Sequence, residues 1–120
     1  MNRQKREEMK LAFAMLLFLG VCGSAHAEMV RSETLYGWLE ESMRAEGNFK
    51  DRTMAVAYVA AVRDLLEEEA ACIPESQRGR RTLQTVRDWM KTNIGRWEQP
   101  AARTVARALR ESFPCGGANR

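Results

Sequence analysis

Cys72 and Cys115 are the residues of this chain best placed for covalent chemistry, one opening Cys-Ile-Pro and the other closing Phe-Pro-Cys. Which chemistry they do depends on the compartment, and the N-terminus speaks to that. Arg3, Lys5, Arg6 and Lys10 precede an apolar run from Leu11 to Val21, and Ser24-Ala25-His26-Ala27 follows. A basic stretch, a short apolar stretch and a small-x-small site make a secretory signal, with cleavage expected after Ala27. The apolar run is too short to span a bilayer comfortably, which argues against a membrane anchor. Lipoprotein processing at Cys22 is disfavoured by Val21, which stands where a small residue is usual. Met9-Lys10 would by itself make a conventional signal start. Residues 1–27 therefore read as a signal peptide and 28–120 as the mature domain, exported and soluble. Outside the cytosol, two remaining thiols are expected to pair with each other.

Loss of the signal narrows the remaining chemistry. Four of the 19 basic residues and two of the 16 acidic ones lie in residues 1–27, leaving 15 and 14, a formal charge of +1. The basicity of the whole chain belongs largely to the signal, so a nucleic-acid partner loses its electrostatic footprint. His26, the single histidine, leaves with Cys22. Without histidine the mature domain cannot build a Ser-His-Asp or Cys-His site, nor a His-bearing metal cluster. No metal and no cofactor are expected. Carboxylate chemistry is open in principle, but 93 residues of mostly helical sequence leave little room for a substrate cleft. An enzyme is not expected.

A domain of that size has a marginal core and gains from a covalent staple. Four segments carry helical periodicity. The first spans about Glu33–Ala45, with Ser32 as N-cap and Leu35, Trp38, Leu39 and Met43 on one face. Gly47-Asn48 breaks it. The second begins near Asp51 and is the most apolar, with Met54, Ala57, Tyr58, Ala61, Val62 and Leu65 as its inward stripe. It ends in Glu67-Glu68-Glu69, an acidic run that opposes the helix dipole and reads as a solvated end. A loop through Pro74 leads to the third helix, about Arg81–Asn93. Leu83, Val86, Trp89, Met90 and then Ile94 are expected inward there, with Gly95 as a left-handed C-terminal cap. Pro100 suits the first turn of a fourth helix carrying Ala102, Val105, Ala106 and Leu109 to Phe113. Pro114 ends it, and a loose tail begins at Gly116-Gly117. The fold class is all-α: a small single-domain bundle of about four helices with one disulfide.

Bonding Cys72, after the second helix, to Cys115, after the fourth, closes a loop of about 43 residues, worth about 4 kcal/mol in chain entropy. A redox-active pair usually needs a Cys-x-x-Cys-like arrangement at a helix N-terminus. Here both cysteines follow helices, so the bond reads as structural.

The order of several residues resembles a known family. Tyr58-Val59 is followed by Asp64, then by Cys72-Ile73-Pro74, then by Thr82-Leu83-x-x-Val86 with Trp89-Met90. Ala101-Ala102-x-x-Val105-x-x-Ala108-Leu109-x-x-x-Phe113-Pro114-Cys115 completes the pattern. Together they resemble the Rap/Tai-type immunity proteins, over roughly residues 33–115. The two cysteine-bearing ends and their spacing are its specific part. The resemblance implies a small helical periplasmic protein that binds a secreted cell-wall amidase effector of type VI secretion and so prevents self-intoxication. It also implies a homodimer as one form in which such proteins act. Members commonly carry two further cysteines, at places that look like Ser42 and Ala55 here; both being absent together is consistent with loss of one whole disulfide.

An immunity protein of that kind works by occlusion, offering a protruding loop or helix end to the toxin's cleft. Such interfaces rest on a few aromatic or Arg anchors. Gly95-Arg96-Trp97-Glu98-Gln99, between the third and fourth helices, is the best loop for this, with Arg96, Trp97, Glu98 and Gln99 as partner-binding residues. The alternative is that Trp97 folds back onto the core and Arg96 is merely solvated. The basic run Arg78-Gly79-Arg80-Arg81 is a second surface for an acidic partner, or else a solvated helix start. Two other function classes stay open: an Hde-type periplasmic stress chaperone, and an accessory subunit of an envelope complex.

Overall fold

The computed structural model describes residues 2–18, 28–66 and 70–116. The cleavage site at Ala27, Cys22, His26, the acidic run Glu67-Glu68-Glu69 and the tail from Gly117 lie outside the described residues. Five α-helices occur: α1 (Asn2–Phe18), α2 (Ser32–Met43), α3 (Phe49–Leu66), α4 (Arg80–Thr92) and α5 (Ala101–Ser112). Short 3-10 turns at Glu75–Gln77 and Ile94–Arg96 lead into and out of α4. Among the described residues every regular element is helical, and no helix is long and apolar enough to cross a membrane. The all-α expectation holds, with α2–α5 as the four-helix bundle and α1 lying in the segment read as signal.

Each bundle helix buries one stripe. Leu35 and Leu39 of α2 meet Val59 and Val62 of α3, Val86, Trp89 and Met90 of α4, and Val105 and Leu109 of α5 in one cluster. Burying such side chains contributes about 1.5–3 kcal/mol each. Trp38, half-buried on α2, packs edge-on against Tyr58 of α3, ring centroids 6.5 Å apart. Ser42 and Ala55, where the resemblance implied two lost cysteines, are both buried, on α2 and α3.

The turn from α2 to α3 shows how local chemistry sets a boundary. The Asn48 side-chain carbonyl accepts from the backbone N–H groups of Lys50 (2.9 Å) and Asp51 (3.3 Å), an N-cap for α3. The Asn48 N–H in turn donates to the Glu41 carboxylate at 3.0 Å. That bond, with Arg44 beside it, holds the Glu41 carboxyl below the usual carboxylate range. A Cβ on Gly47 would sit 1.9 Å from the Glu41 carbonyl oxygen, so only glycine permits this approach.

Five local expectations are corrected. The inward stripe of α3 is Ala55, Val59 and Val62; of the expected stripe Val62 is buried and Tyr58 half-buried, whereas Met54, Ala57, Ala61 and Leu65 are exposed. Leu65 is 82% exposed. Ser32 is not an N-cap: Arg31 holds that place, and Ser32 is the fully buried first residue of α2. Ile94 is 67% exposed, because α4 ends at Thr92 and the 3-10 turn swings Ile94 outward. Gly95 lies inside that turn and is no left-handed cap; among the described residues Gly79 alone has positive φ, at 76°, just before α4. Pro100 sits one residue earlier than expected, at the N-cap of α5, after a cis Gln99–Pro100 bond.

Cys72 and Cys115 are bonded, with Cα atoms 4.8 Å apart and a sequence separation of 43. The Cys72 N–H also donates to the Phe113 carbonyl at 2.9 Å. Buried Ala71, Ile73 and Phe113 flank this junction. Replacing both cysteines by serine is expected to lower stability by up to about 4 kcal/mol. Urea unfolding measures it, and a loss under about 1 kcal/mol would mean that packing alone closes the loop.

Candidate functional site

The segment from Ile94 to Pro100 joins α4 to α5, and two buried hydroxyls fix its base. Ser32, at the start of α2, donates to the Glu98 carbonyl at 2.6 Å and lies 2.8 Å from the Thr104 hydroxyl. Thr104, on α5, accepts from the Glu98 N–H at 2.8 Å and lies 3.0 Å from the Glu98 carbonyl. Both hydroxyls are fully buried. A buried polar group needs a partner, and here each partner is backbone of the connecting segment. The Gln99 side chain extends the tie, accepting from the Ser32 N–H at 2.9 Å and donating to Glu33 at 3.1 Å. The Ala101 N–H donates to the Val30 carbonyl at 2.9 Å, so the beginnings of α2 and α5 are bound to one corner.

Trp97 is half-buried and packs on the core. Its indole N–H donates to the Met90 carbonyl at 2.9 Å, closing the end of α4. Its ring meets Tyr36 of α2, centroids 5.3 Å apart and tilted by 38°. Burial, and then the neighbouring Glu40 carboxylate, push the Tyr36 phenol up. Arg96 is exposed yet not loose. It grips Glu111 through both terminal guanidinium nitrogens and donates to the Asn93 side chain at 3.1 Å. Its guanidinium carbon lies 5.2 Å from the Trp89 ring centre, a cation–π arrangement. Glu111 also accepts from the Trp89 indole at 2.9 Å. Arg96 first, and the Trp89 indole second, hold the Glu111 carboxyl below the usual range. Glu98 pairs with Arg107 at 3.2 Å.

The structure therefore brings Arg96, Trp97, Glu98 and Gln99 into one ordered corner. Part of each fills a structural role, while Arg96 and Gln99 keep exposed surface. Trp97 does fold back onto the core, and Arg96 is engaged rather than merely solvated. Sequence reasoning missed Ile94, the apolar side chain that this corner presents outward. Its spacing from Met90 suggested an inward place, and only the early end of α4 changes that. An apolar tip beside a guanidinium and an amide suits recognition of another surface.

Thr104→Val, which leaves the Glu98 N–H without its partner, is expected to cost about 1–3 kcal/mol in chemical unfolding. The acid response has a defined sign. A carboxyl held below its unfolded value adds stability that is full above the unfolded range and is lost as pH falls through the folded value. Stability should thus decline as pH drops below about 4.3. Glu111→Gln should reduce that decline while the lowered Glu33 and Glu41 carboxyls keep part of it. Urea midpoints measured from neutral pH down to about pH 3 read this directly; an unchanged decline in the variant would remove Glu111 from the account.

No curated protein and no solved structure matches this chain. A family model does, described as Rap1a immunity proteins, over residues 18–115. The match ends on Cys115, runs through both cysteines of the disulfide, and covers the whole bundle together with the corner between α4 and α5. By that coverage the chain belongs to the Rap1a immunity protein family, a membership that implies a toxin effector as partner and inhibition without catalysis.

Proposed function

We propose that the protein is exported, loses residues 1–27 and, in the periplasm, binds and occludes a peptidoglycan amidase effector of a type VI secretion system, sparing the producer from its own toxin. The observation that carries this reading is family membership joined to the corner between α4 and α5. That corner is held by buried hydrogen bonds from α2 and α5, yet presents Ile94 and Arg96 to solvent. Preorganisation matters, because a loop that is already ordered loses little entropy on docking. An exposed apolar tip beside an arginine is the composition of an interface anchor. Nothing in this mechanism needs a reaction: Ile94, Arg96 and the exposed edges of Glu98 and Gln99 would fill the toxin's cleft and exclude its substrate. Trp97 would act chiefly from beneath, setting the angle at which the corner projects.

The test is affinity capture with the oxidised protein from the strain's secretome and periplasm, identified by mass spectrometry and followed by a cell-wall hydrolase assay. Recovery of an amidase that loses activity on binding is the expected result. Recovery of no hydrolase, where a known effector–immunity pair is captured in parallel, would overturn the amidase assignment. Ile94→Asp should then weaken the captured complex at least about tenfold, near 1.4 kcal/mol, with thermal stability unchanged. Full affinity in that variant would move the interface away from this corner.

A further inference from the structure

A second feature lies elsewhere on the bundle, where α4 begins. A cavity of about 260 Å³ opens between the end of α2, one side of α3 and the beginning of α4. Val56, Val59 and Leu83 contribute apolar lining, and Arg52, Arg63 and Arg80 contribute guanidinium groups. None of its lining residues among the described ones is acidic. Three cations converge on one apolar hollow.

Structural needs account poorly for these arginines. Arg52 and Arg80 form no ion pair with any described residue. Arg63 reaches out to Asp64, using Nε at 3.0 Å and one terminal nitrogen at 2.8 Å, which leaves its other terminal nitrogen unengaged by that carboxylate. Arg80 and Arg81 occupy the first turn of α4, which contains no acidic residue, and Gly79 before them supplies no side-chain cap. Cations at a helix N-terminus oppose its dipole, each by several tenths of a kcal/mol. The two hydroxyls in the wall are spent inward: Ser42 donates to the Leu39 carbonyl at 2.6 Å, and Thr82 to the Gln77 carbonyl at 2.7 Å. The donors left facing a guest are therefore guanidinium groups, which suit carboxylates bidentately.

Size and lining narrow the guest. Small-molecule pockets commonly enclose about 300–1,000 Å³, and this cavity is smaller, with room for one or two side chains. Its apolar surface continues along α3, where helical spacing puts exposed Phe49 and Val56 on the same side as Arg52 and Ala60. We propose that this cavity docks an acidic segment of a protein partner, seating a glutamate or aspartate among Arg52, Arg63 and Arg80 with a neighbouring aliphatic residue on Val56 and Leu83. The site shares no residue with the α4–α5 corner, so it does not depend on the identity of the toxin.

The test is an NMR titration of the oxidised protein with three probes: the peptide acetyl-Leu-Glu-Glu-Leu-amide, its Gln-for-Glu twin, and inorganic phosphate. The expected result is shift changes at the arginine Nε–H groups of Arg52, Arg63 and Arg80 and at the amides of residues 79–83. The Gln peptide should bind at least about tenfold more weakly, a difference near 1.4 kcal/mol. R52Q/R80Q should lose most of the response, whereas R103Q/R110Q, which removes equal charge from the groove between α3 and α5, should keep it. Should the double variant fold poorly by circular dichroism, the single exposed substitution R80Q carries the same expectation at smaller amplitude. Shifts mapping to α5, equal loss in the two double variants, equal binding of the Gln peptide, or phosphate binding as tightly as the acidic peptide would each overturn the assignment. So would the absence of any shift at a peptide concentration on the order of 10 mM.

Discussion

The bond between Cys72 and Cys115 is the constraint on which the rest of the bundle depends, because it joins the segment after α3 to the segment after α5. Everything between those points, α4 and the corner that follows it included, becomes a closed loop anchored at both ends. For a single small domain of marginal stability, removing about 4 kcal/mol of loop entropy from the unfolded chain is a large share of the total. The Cys72 N–H bond to the Phe113 carbonyl sets the two strands of the junction side by side, so the covalent tie and the backbone agree. α4 is thereby held against α2 and α5 without needing a long apolar helix of its own: Leu83, Val86, Trp89 and Met90 suffice.

Within that closed loop, two kinds of force share the work differently. Apolar burial decides which helices meet, since each large core side chain contributes more than any one hydrogen bond returns net. Hydrogen bonding decides the path of the connection. Ser32 and Thr104 could each be replaced by an apolar residue of similar size without emptying the core, but the Glu98 backbone would then lose partners that water cannot supply. The corner is thus specified by polar groups lying far apart in sequence. Arg96, Trp89 and Glu111 add an outer clasp at the surface, where solvent screens it and its worth is smaller. A recognition corner gains from this division: burial fixes its support, hydroxyls fix its backbone, and the exposed side chains are left free of structural duty in part.

Helix positions and the disulfide were legible in the sequence, because 3.6-residue periodicity and two thiols behind a signal-like N-terminus can be read without the fold. What local signals could not supply was orientation. α3 is apolar on more than one side, so periodicity that correctly includes Val62 continues as readily through Met54, Ala61 and Leu65 as through the buried Ala55 and Val59. Ala55 is fully buried on that side, yet periodicity gives alanine little weight. Ser32 carried a genuine cap signature, but its hydroxyl is taken by a carbonyl 66 residues away. Ile94 departs from expectation for a related reason: the helical stripe was carried past the helix end, whereas Asn93 bonds back to the Trp89 carbonyl at 2.8 Å and a 3-10 turn follows. Of the candidate site, the sequence located the loop and its four residues but could not separate supporting atoms from presented ones.

The leftover apolarity of α3 and the leftover charge of Arg52 and Arg80 have a common implication. A helix that buries only one stripe yet carries exposed Phe49, Val56 and Leu65 holds more apolar surface than the bundle uses. Scattered exposed apolar residues are ordinary, and their number alone would mean little. Val56 differs because it lies in a concavity with Arg52 and Arg80, which form no ion pair with any described residue, so two separate costs to the free protein coincide at one place. Neither cost is offset by any contact within the described chain. Features that burden the isolated fold and coincide in space are best accounted for by a state in which they are covered. In that state the cations and the apolar floor would each recover, on contact with a complementary surface, what the free bundle leaves unmet.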